Sequence, residues 1–355
     1  MKKASAIRDK SMDRRSFLKM SCIAALGLAA AGTSPLWAED RGPADKVNRV
    51  SRTGLAMGTT VSMTLVCQPV ERAEGAMDLA FRDIDRLAGL MNRFDDRSPI
   101  ARLNRQGRLN NADPDIVNVI TAALKYYRLT GGAFDITITP VLDLFQEKFS
   151  KSKNPYPTEK EIEKALSLVG SNRIELRGSS IRFKKPGMSI TLDGIAKGYI
   201  VDRASRILLK QDIKNHLINA GGDILAMGLR DDGNPWKVGI QDPKKRKNYV
   251  DIITLTNAAV ATSGNYENYF DREKIFHHIV NPKTGKSPVV NIGASVIAPT
   301  AMEADALATS MLVMSPDEGI RFMDSLPGYE SLIITRRNQI RRSSGWKSTS
   351  MSQAS

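Results

Sequence analysis

Apolar and polar residues alternate along Thr60–Cys67, with Val61, Met63, Leu65 and Cys67 on one side, which predicts a half-buried strand. From Glu71 to Met91 the apolar spacing lengthens to three and four (Ala76, Leu79, Ala80, Ile84, Leu87, Met91), as an amphipathic helix requires. Asp113 as cap and Pro114 at the first position open a second helix, which runs to about Leu129 and stops at Gly131-Gly132. Thr158 and Glu161 stand at capping-box spacing for a short helix to Val169. Arg173–Arg177 and Ile181–Lys184 read as a hairpin around Gly178-Ser179, and Asn215–Gly228 as strand, glycine break, strand. Further strands are expected at Trp236–Gln241, Val250–Thr256 and Ile292–Ile297, and a helix from Pro299 to Met314. Other stretches carry neither period. Residues 39–54 are expected to be a linker, 92–99 and 146–157 polar loops, and 336–355 a basic, Ser-rich, disordered tail. Phe134-Asp135 would stand on a turn before a short strand, and Phe276–Gly285 would run from a strand into a turn.

The stretch Ser189–Asp202 concentrates candidate chemistry. A β-compatible run breaks at Gly194, and Ile195, Tyr199, Ala204, Ile207 and Leu208 continue at helical spacing. The junction carries Thr191, Asp193, Gly194 and Lys197. A helix start presents unpaired N–H groups and positive potential, and Lys197 adds a point charge one turn in, so a phosphate-bearing ligand fits there. An ordinary capped core helix fits the same pattern, and the spacing is that of neither the P-loop nor GxGxxG. Near the other end of the chain, Asp305 and Thr309 lie four apart, on one helix face. Hard oxygen donors so placed suit Mg²⁺; a solvated face would look the same.

The first 38 residues read as an address rather than a fold. Basic residues precede Asp13-Arg-Arg-Ser-Phe-Leu-Lys19, then an apolar run from Met20 to Ala31, then Leu36-Trp37-Ala38. This is the layout of a cleavable signal, and the Arg14-Arg15 pair resembles the twin-arginine export signal, which places the mature protein in the periplasm. Cleavage near Ala38 removes seven basic and two acidic residues, and the net charge falls from +14 to about +9. The remaining basic residues are scattered, with few aromatics among them, which argues against a nucleic-acid platform. Cys67 is the one mature cysteine, so there is no intrachain disulfide, and no Cys/His spacing suits zinc.

Six segments then occur in an order that resembles the FAD:protein FMN transferase (ApbE) family. They are Met57-Gly-Thr-Thr60, Gly132-Ala-Phe-Asp135, Asp193-Gly-Ile-Ala-Lys-Gly198, Asn219-Ala-Gly-Gly-Asp223, His278-Ile-Val-Asn-Pro-Lys-Thr-Gly285 and Ala304-Asp-Ala-Leu-Ala-Thr309. The resemblance spans about Leu55 to Ile334, within a transferase domain taken as residues 55–335. It implies an α+β fold of mixed, largely antiparallel sheets with packed helices, in two lobes. It also implies Mg²⁺-dependent transfer of FMN from FAD to a Thr or Ser hydroxyl of another protein, with release of AMP. By resemblance, Met57, Phe94, Ala133, Phe134, Asp135, Thr191, Asp193, Lys197 and Ile279 would surround the FAD. Gly194 through its carbonyl, Asp305 and Thr309 would hold Mg²⁺, and His278 and Asp305 are the candidates for proton transfer. Three positions depart from the family pattern: Thr191 where a carboxylate is frequent, Phe94 where Tyr is frequent, and Gly194 where Ala is frequent.

The expected partner is an exported or membrane-anchored electron-transfer protein. Export without a lipid anchor resembles the NosX-like branch. Two other readings remain open from sequence: a periplasmic flavin carrier that holds FAD intact, and an Mg²⁺-dependent hydrolase yielding FMN and AMP. Self-modification at Thr130-Gly-Gly-Ala133 is a further, weaker one.

Overall fold

The computed structural model describes residues 48–151, 156–244, 249–265, 270 and 276–349. The predicted signal, residues 1–38, and the basic run 245–247 lie outside the described residues. Strand β1 (Asn48–Ala56) pairs with β2 (Thr59–Cys67) through a two-residue turn, Met57-Gly58, with both residues at positive φ. Such a primed turn matches the twist of a hairpin. β1 therefore takes up residues 48–54 of what the sequence marked as linker; residues 39–47 lie outside the described residues. It escaped detection because it is an edge strand whose residues are half-buried at best, so apolar alternation is weak and Arg49 and Arg52 are tolerated.

The main sheet has the order β1-β2-β6-β7-β10-β11-β12-β13. Its further strands are β6 (Asn215–Ala220), β7 (Asp223–Met227), β10 (Ala258–Gly264), β11 (Asn291–Ala298), β12 (Glu330–Thr335) and β13 (Ile340–Arg342). Every pairing among the described residues is antiparallel, including those of the small sheet β3 (Arg108–Leu109), β5 (Ser180–Phe183), β4 (Ile174–Arg177). The α+β expectation holds. Helices α1 (Val70–Met91), α6 (Ala196–Lys210) and α7 (Ala301–Val313) pack against one face of the main sheet. The two-stranded sheet β8 (Trp236–Gln241) and β9 (Tyr249–Leu255) covers part of the other face, where Trp236, Val238, Ile253 and Leu255 meet Val260, Leu332 and Ile334.

Four local expectations change. The 92–99 loop leads into α2 (Pro99–Gln106), with Ser98 accepting from Ala101 N–H and Pro at its first turn. Ile136–Ile138 is a 3₁₀ turn, not a strand, because Asp135 caps it through Thr137 N–H; it feeds α4 (Thr139–Lys151), which takes up the front of the predicted 146–157 loop. From Phe276 the chain is a looped turn rather than a strand, with His277 buried. The described part of the tail, 336–349, is fastened to the fold: Asp251 on β9 accepts from Arg342, from the Trp346 indole at 3.0 Å and from the Ser348 hydroxyl at 2.7 Å. The remaining helices are α3 (Pro114–Leu129), α5 (Glu159–Leu166) and α8 (Pro316–Asp324).

One contact brings the site together. α7 is buried nearly all round and alanine-rich, so a neighbour can approach closely. At Gly198 of α6 an added Cβ would lie 2.2 Å from the Ala301 carbonyl oxygen. Only glycine permits that crossing. Asp202, one turn further along α6, accepts from the N–H groups of Ala301 (2.8 Å) and Met302 (3.0 Å), capping α7 from a neighbouring helix.

Candidate functional site

The junction before α6 is held from both sides. The Asn104 side chain donates to the Ile190 carbonyl and accepts from its N–H, each at 2.8 Å, and Thr191 N–H donates to the Ile136 carbonyl at 2.8 Å. The chain then turns at Gly194 and enters α6, placing Lys197 on its first turn. The Lys197 ammonium pairs with Asp223, which is 1% exposed and opens β7 just after the Gly221-Gly222 turn. Asp305, 4% exposed, comes from α7 and accepts from the Gly198 N–H at 3.2 Å. Burial pushes the Asp305 carboxyl well above the ordinary carboxylate range, and Asp223 beside it pushes the same way; Lys197 offsets only part of this.

Thr309 stands one turn beyond Asp305, its hydroxyl 3.2 Å from that of Ser263 on β10. A Cβ at Gly194 would be 3.1 Å from Thr309 Oγ1 and 3.3 Å from the Phe134 ring, so this backbone adjoins both. Glycine here allows a contact that alanine would have to force. The three expected metal positions thus come from two elements that the fold brings side by side. Two buried carboxylates share one ammonium, which leaves negative charge uncompensated, and carbonyl, carboxylate and hydroxyl oxygens are the donors a hard divalent cation takes. Among the described residues there is no group of three or more His, Cys, Asp or Glu suited to a metal. The residues fit Mg²⁺.

The expected flavin-binding residues fall into separate groups. Ala133 and Phe134 are buried beside the junction. Asp135 is spent within the protein: its carboxylate accepts from Thr137 N–H and Oγ1 and from Ser171 N–H and Oγ, so its part is to shape the Ala133–Phe134 turn. Phe94 is 51% exposed, with the Arg93 guanidinium 4.2 Å from its ring centroid. Arg93 also reaches Asp143 at 3.0 Å and the exposed Asp193 at 3.8 Å, which ties the Phe94 loop to the α6 junction. Thr191 is buried and its hydroxyl accepts from Asp193 N–H at 3.2 Å.

Met57 sits in the β1–β2 turn, and the adjoining Thr59 packs against Gly221, next to the turn that leads into Asp223. Ile279 is buried and donates its N–H to Nδ1 of His277, whose Nε2 donates to the Pro288 carbonyl at 3.0 Å. The half-buried His278 stands beside it, with the two ring centroids 6.3 Å apart. Sequence reasoning missed Ser263 and Arg93, and took Asp223 only as part of a turn that could be structural or ligand-facing, with no role in the site. For Asp223 a signal existed, an acid directly after a Gly-Gly turn; Ser263 and Arg93 had none. Thr130 is buried, and its hydroxyl donates to the Tyr126 carbonyl at 2.7 Å, so it offers no acceptor for self-modification.

The ApbE family profile matches residues 57–333. A protein of Vibrio cholerae named FAD:protein FMN transferase is 29% identical over 288 residues, covering 78% of this chain and 84% of that protein. One of the same name from Treponema pallidum is 26% identical over 321 residues, covering 84% and 88%. The crystal structure of the ApbE protein from Thermotoga maritima superimposes with a TM-score of 0.76 at 31% identity, covering 84% of this chain and 97% of that one. That of the flavin transferase ApbE from Vibrio cholerae gives 0.72 at 26% identity, covering 86% and 98%. Profile, relatives and fold agree along nearly all of the described residues, and the chain belongs to the ApbE family of transferases.

Proposed function

We propose that this enzyme transfers the FMN part of FAD to a Thr or Ser hydroxyl of an exported or membrane-anchored electron-transfer protein, releasing AMP, with Mg²⁺ as cofactor. The observation that carries this reading is the half-buried Lys197 set against two buried carboxylates, Asp223 and Asp305, beside Thr309 at the start of a helix. The acceptor oxygen bonds to the FMN phosphorus while the bond from that phosphorus to the bridging oxygen breaks, and AMP leaves with the electron pair. The first turn of α6 and the Lys197 ammonium face the charge of the pyrophosphate, where fixed positive groups in a dry site act most strongly. Mg²⁺, held by the Gly194 carbonyl, Asp305 and Thr309, would neutralise further phosphate charge.

Phe94, exposed beside Arg93, offers a ring for the isoalloxazine, and Phe134 backs the junction. His278 is the candidate to take the acceptor's proton. The paired Arg14-Arg15 ahead of an apolar run supports export by the twin-arginine route and action in the periplasm.

The test is incubation of the purified mature protein with FAD, Mg²⁺ and a Thr-bearing acceptor domain, followed by in-gel flavin fluorescence and mass measurement. The expected result is an FMN-sized covalent adduct that disappears without Mg²⁺. FMN and AMP with no adduct on any acceptor would mark a hydrolase. FAD bound and left intact would mark a carrier, for which a lysine set against two buried carboxylates has no use.

A further inference from the structure

This inference rests on the transfer reading, which gives tasks to Lys197 and Asp305 but none to Asp223. The position of Asp223 is closely determined. It pairs with Ala220 across the Gly221-Gly222 turn, and Asn219 fastens that turn by accepting from Gly222 N–H at 3.0 Å. Its carboxylate is almost entirely buried, accepts from the Lys197 ammonium, and lies within electrostatic reach of Asp305. Lys197 is the accessible member, with its side chain 30% exposed.

A lysine carries a compact charge on a flexible four-carbon stem, so its place depends on what it is tied to. The Lys197 ammonium has two buried carboxylates within electrostatic reach, Asp223 and Asp305. If it settled on Asp305, it would occupy the oxygens a cation needs and would turn inward, away from a phosphate at the helix start.

We infer that Asp223 is a positioning residue: it holds the Lys197 ammonium off Asp305, leaving Asp305 open to the cation and the lysine directed at the pyrophosphate. The geometry suits that task, because Asp223 stands on a strand end fixed by a tight turn while the lysine is the flexible partner. It acts through Lys197 and need not touch FAD. The selective advantage is a separation of roles. One acid orders the cationic side chain, and the other takes the metal.

The test is a double-mutant cycle of Asp223→Asn and Lys197→Met in the full mature enzyme, read three ways. Mg²⁺ affinity of the FAD-bound protein is taken from titration calorimetry. FAD affinity comes from flavin fluorescence without an acceptor, and AMP release is followed against Mg²⁺ concentration. With Asp223→Asn alone, Mg²⁺ affinity is expected to fall about tenfold, half-maximal AMP release to move with it, and FAD affinity to fall by less, about threefold, as the lysine turns from the pyrophosphate. In the Lys197→Met background, Asp223→Asn should add almost nothing, since no ammonium remains to compete for Asp305. An equal loss of Mg²⁺ affinity in both backgrounds would overturn the inference, because Asp223 would then act on the cation or the fold directly. No loss in either background would overturn it too. Asp223→Ser carries the same comparison if the Asn variant does not fold, as thermal unfolding will show. A wild-type protein that neither binds FAD nor releases AMP would sink the functional reading itself; an active wild type with a failed cycle would sink this inference alone.

Discussion

Two buried carboxylates flank the first half of α6, and they are treated in opposite ways. Asp115, on α3, accepts from the Tyr199 hydroxyl at 2.5 Å, from Arg203 at 2.8 Å and from Arg86 at 2.6 Å. Burial alone would raise its pKa, but the hydroxyl and the two guanidiniums outweigh burial and hold it below the ordinary range. Asp305 receives one backbone N–H, and it shares a single ammonium with a second acid. Its pKa moves up. The first carboxylate is satisfied by the protein, so it is a structural tie between α1, α3 and α6. The second is left short of positive charge, in the place where a cation and a pyrophosphate would supply or demand it. A buried acid with all its partners holds a fold together; one with too few marks a site.

The largest effect that would test this contrast is on activity. Asp305→Ala should lower FMN transfer by about three orders of magnitude, measured as covalent flavin on the acceptor. Its thermal midpoint should hold or rise, because an undercompensated buried charge has been removed. A large fall in the midpoint would break the comparison, placing Asp305 with Asp115 as a structural acid.

Asp115→Ala should do the reverse. It leaves two guanidiniums and a tyrosine hydroxyl without their acceptor, and denaturant unfolding should show a loss of about 2–3 kcal/mol, toward the low end for a buried pair because Arg86 is 42% exposed. Transfer per folded molecule should stay near that of wild type.

The pH dependence of stability sharpens the point with a third acid. The folded pKa of Asp115 lies below its unfolded value of about 4, so its contribution is present above that value and is lost as pH falls through the folded pKa. Asp115→Asn should therefore flatten the acid limb of the stability curve below about pH 4. Asp202 is raised by burial to about 6, despite the two N–H groups it caps. Its folded form keeps a proton that the unfolded chain has released, so its contribution is full below the unfolded pKa and is lost as pH rises to about 6. Asp202→Asn should remove that decline between about pH 4 and 6, in urea unfolding across a pH series. Unchanged slopes in both variants would mean that neither acid is shifted as its partners require.

The smallest effect concerns the flavin. Phe94→Ala should weaken FAD binding about fivefold by fluorescence titration, the loss of one exposed stacking ring, with stability unaffected.

Much of this was legible in the chain itself. The α1 and α3 helices, the β4–β5 hairpin and the β6–β7 pair follow from local grammar: apolar periods of two or 3.6, a Pro at the first helical turn, paired glycines. Such signals are read from neighbours along the chain, which is why they survive without a structure. The site motifs were legible as residue types in order, and the fold sets Lys197, Gly194, Asp305 and Thr309 side by side. What stayed hidden depends on partners distant in sequence. β1 looked like linker because an edge strand needs little apolar alternation, and the tail looked disordered because the acid that fastens it, Asp251, lies about 90 residues earlier. The same holds for the distinction that matters most here. Motifs single out Asp223 and Asp305 from Asp115, but the letters around the three aspartates do not say which carboxylate is satisfied and which is left short of positive charge. Their roles were decided when the close crossing at Gly198 and the turn before β7 placed guanidiniums around one and a single shared lysine beside the other two, because the charge state of a buried carboxylate is set by what surrounds it in space.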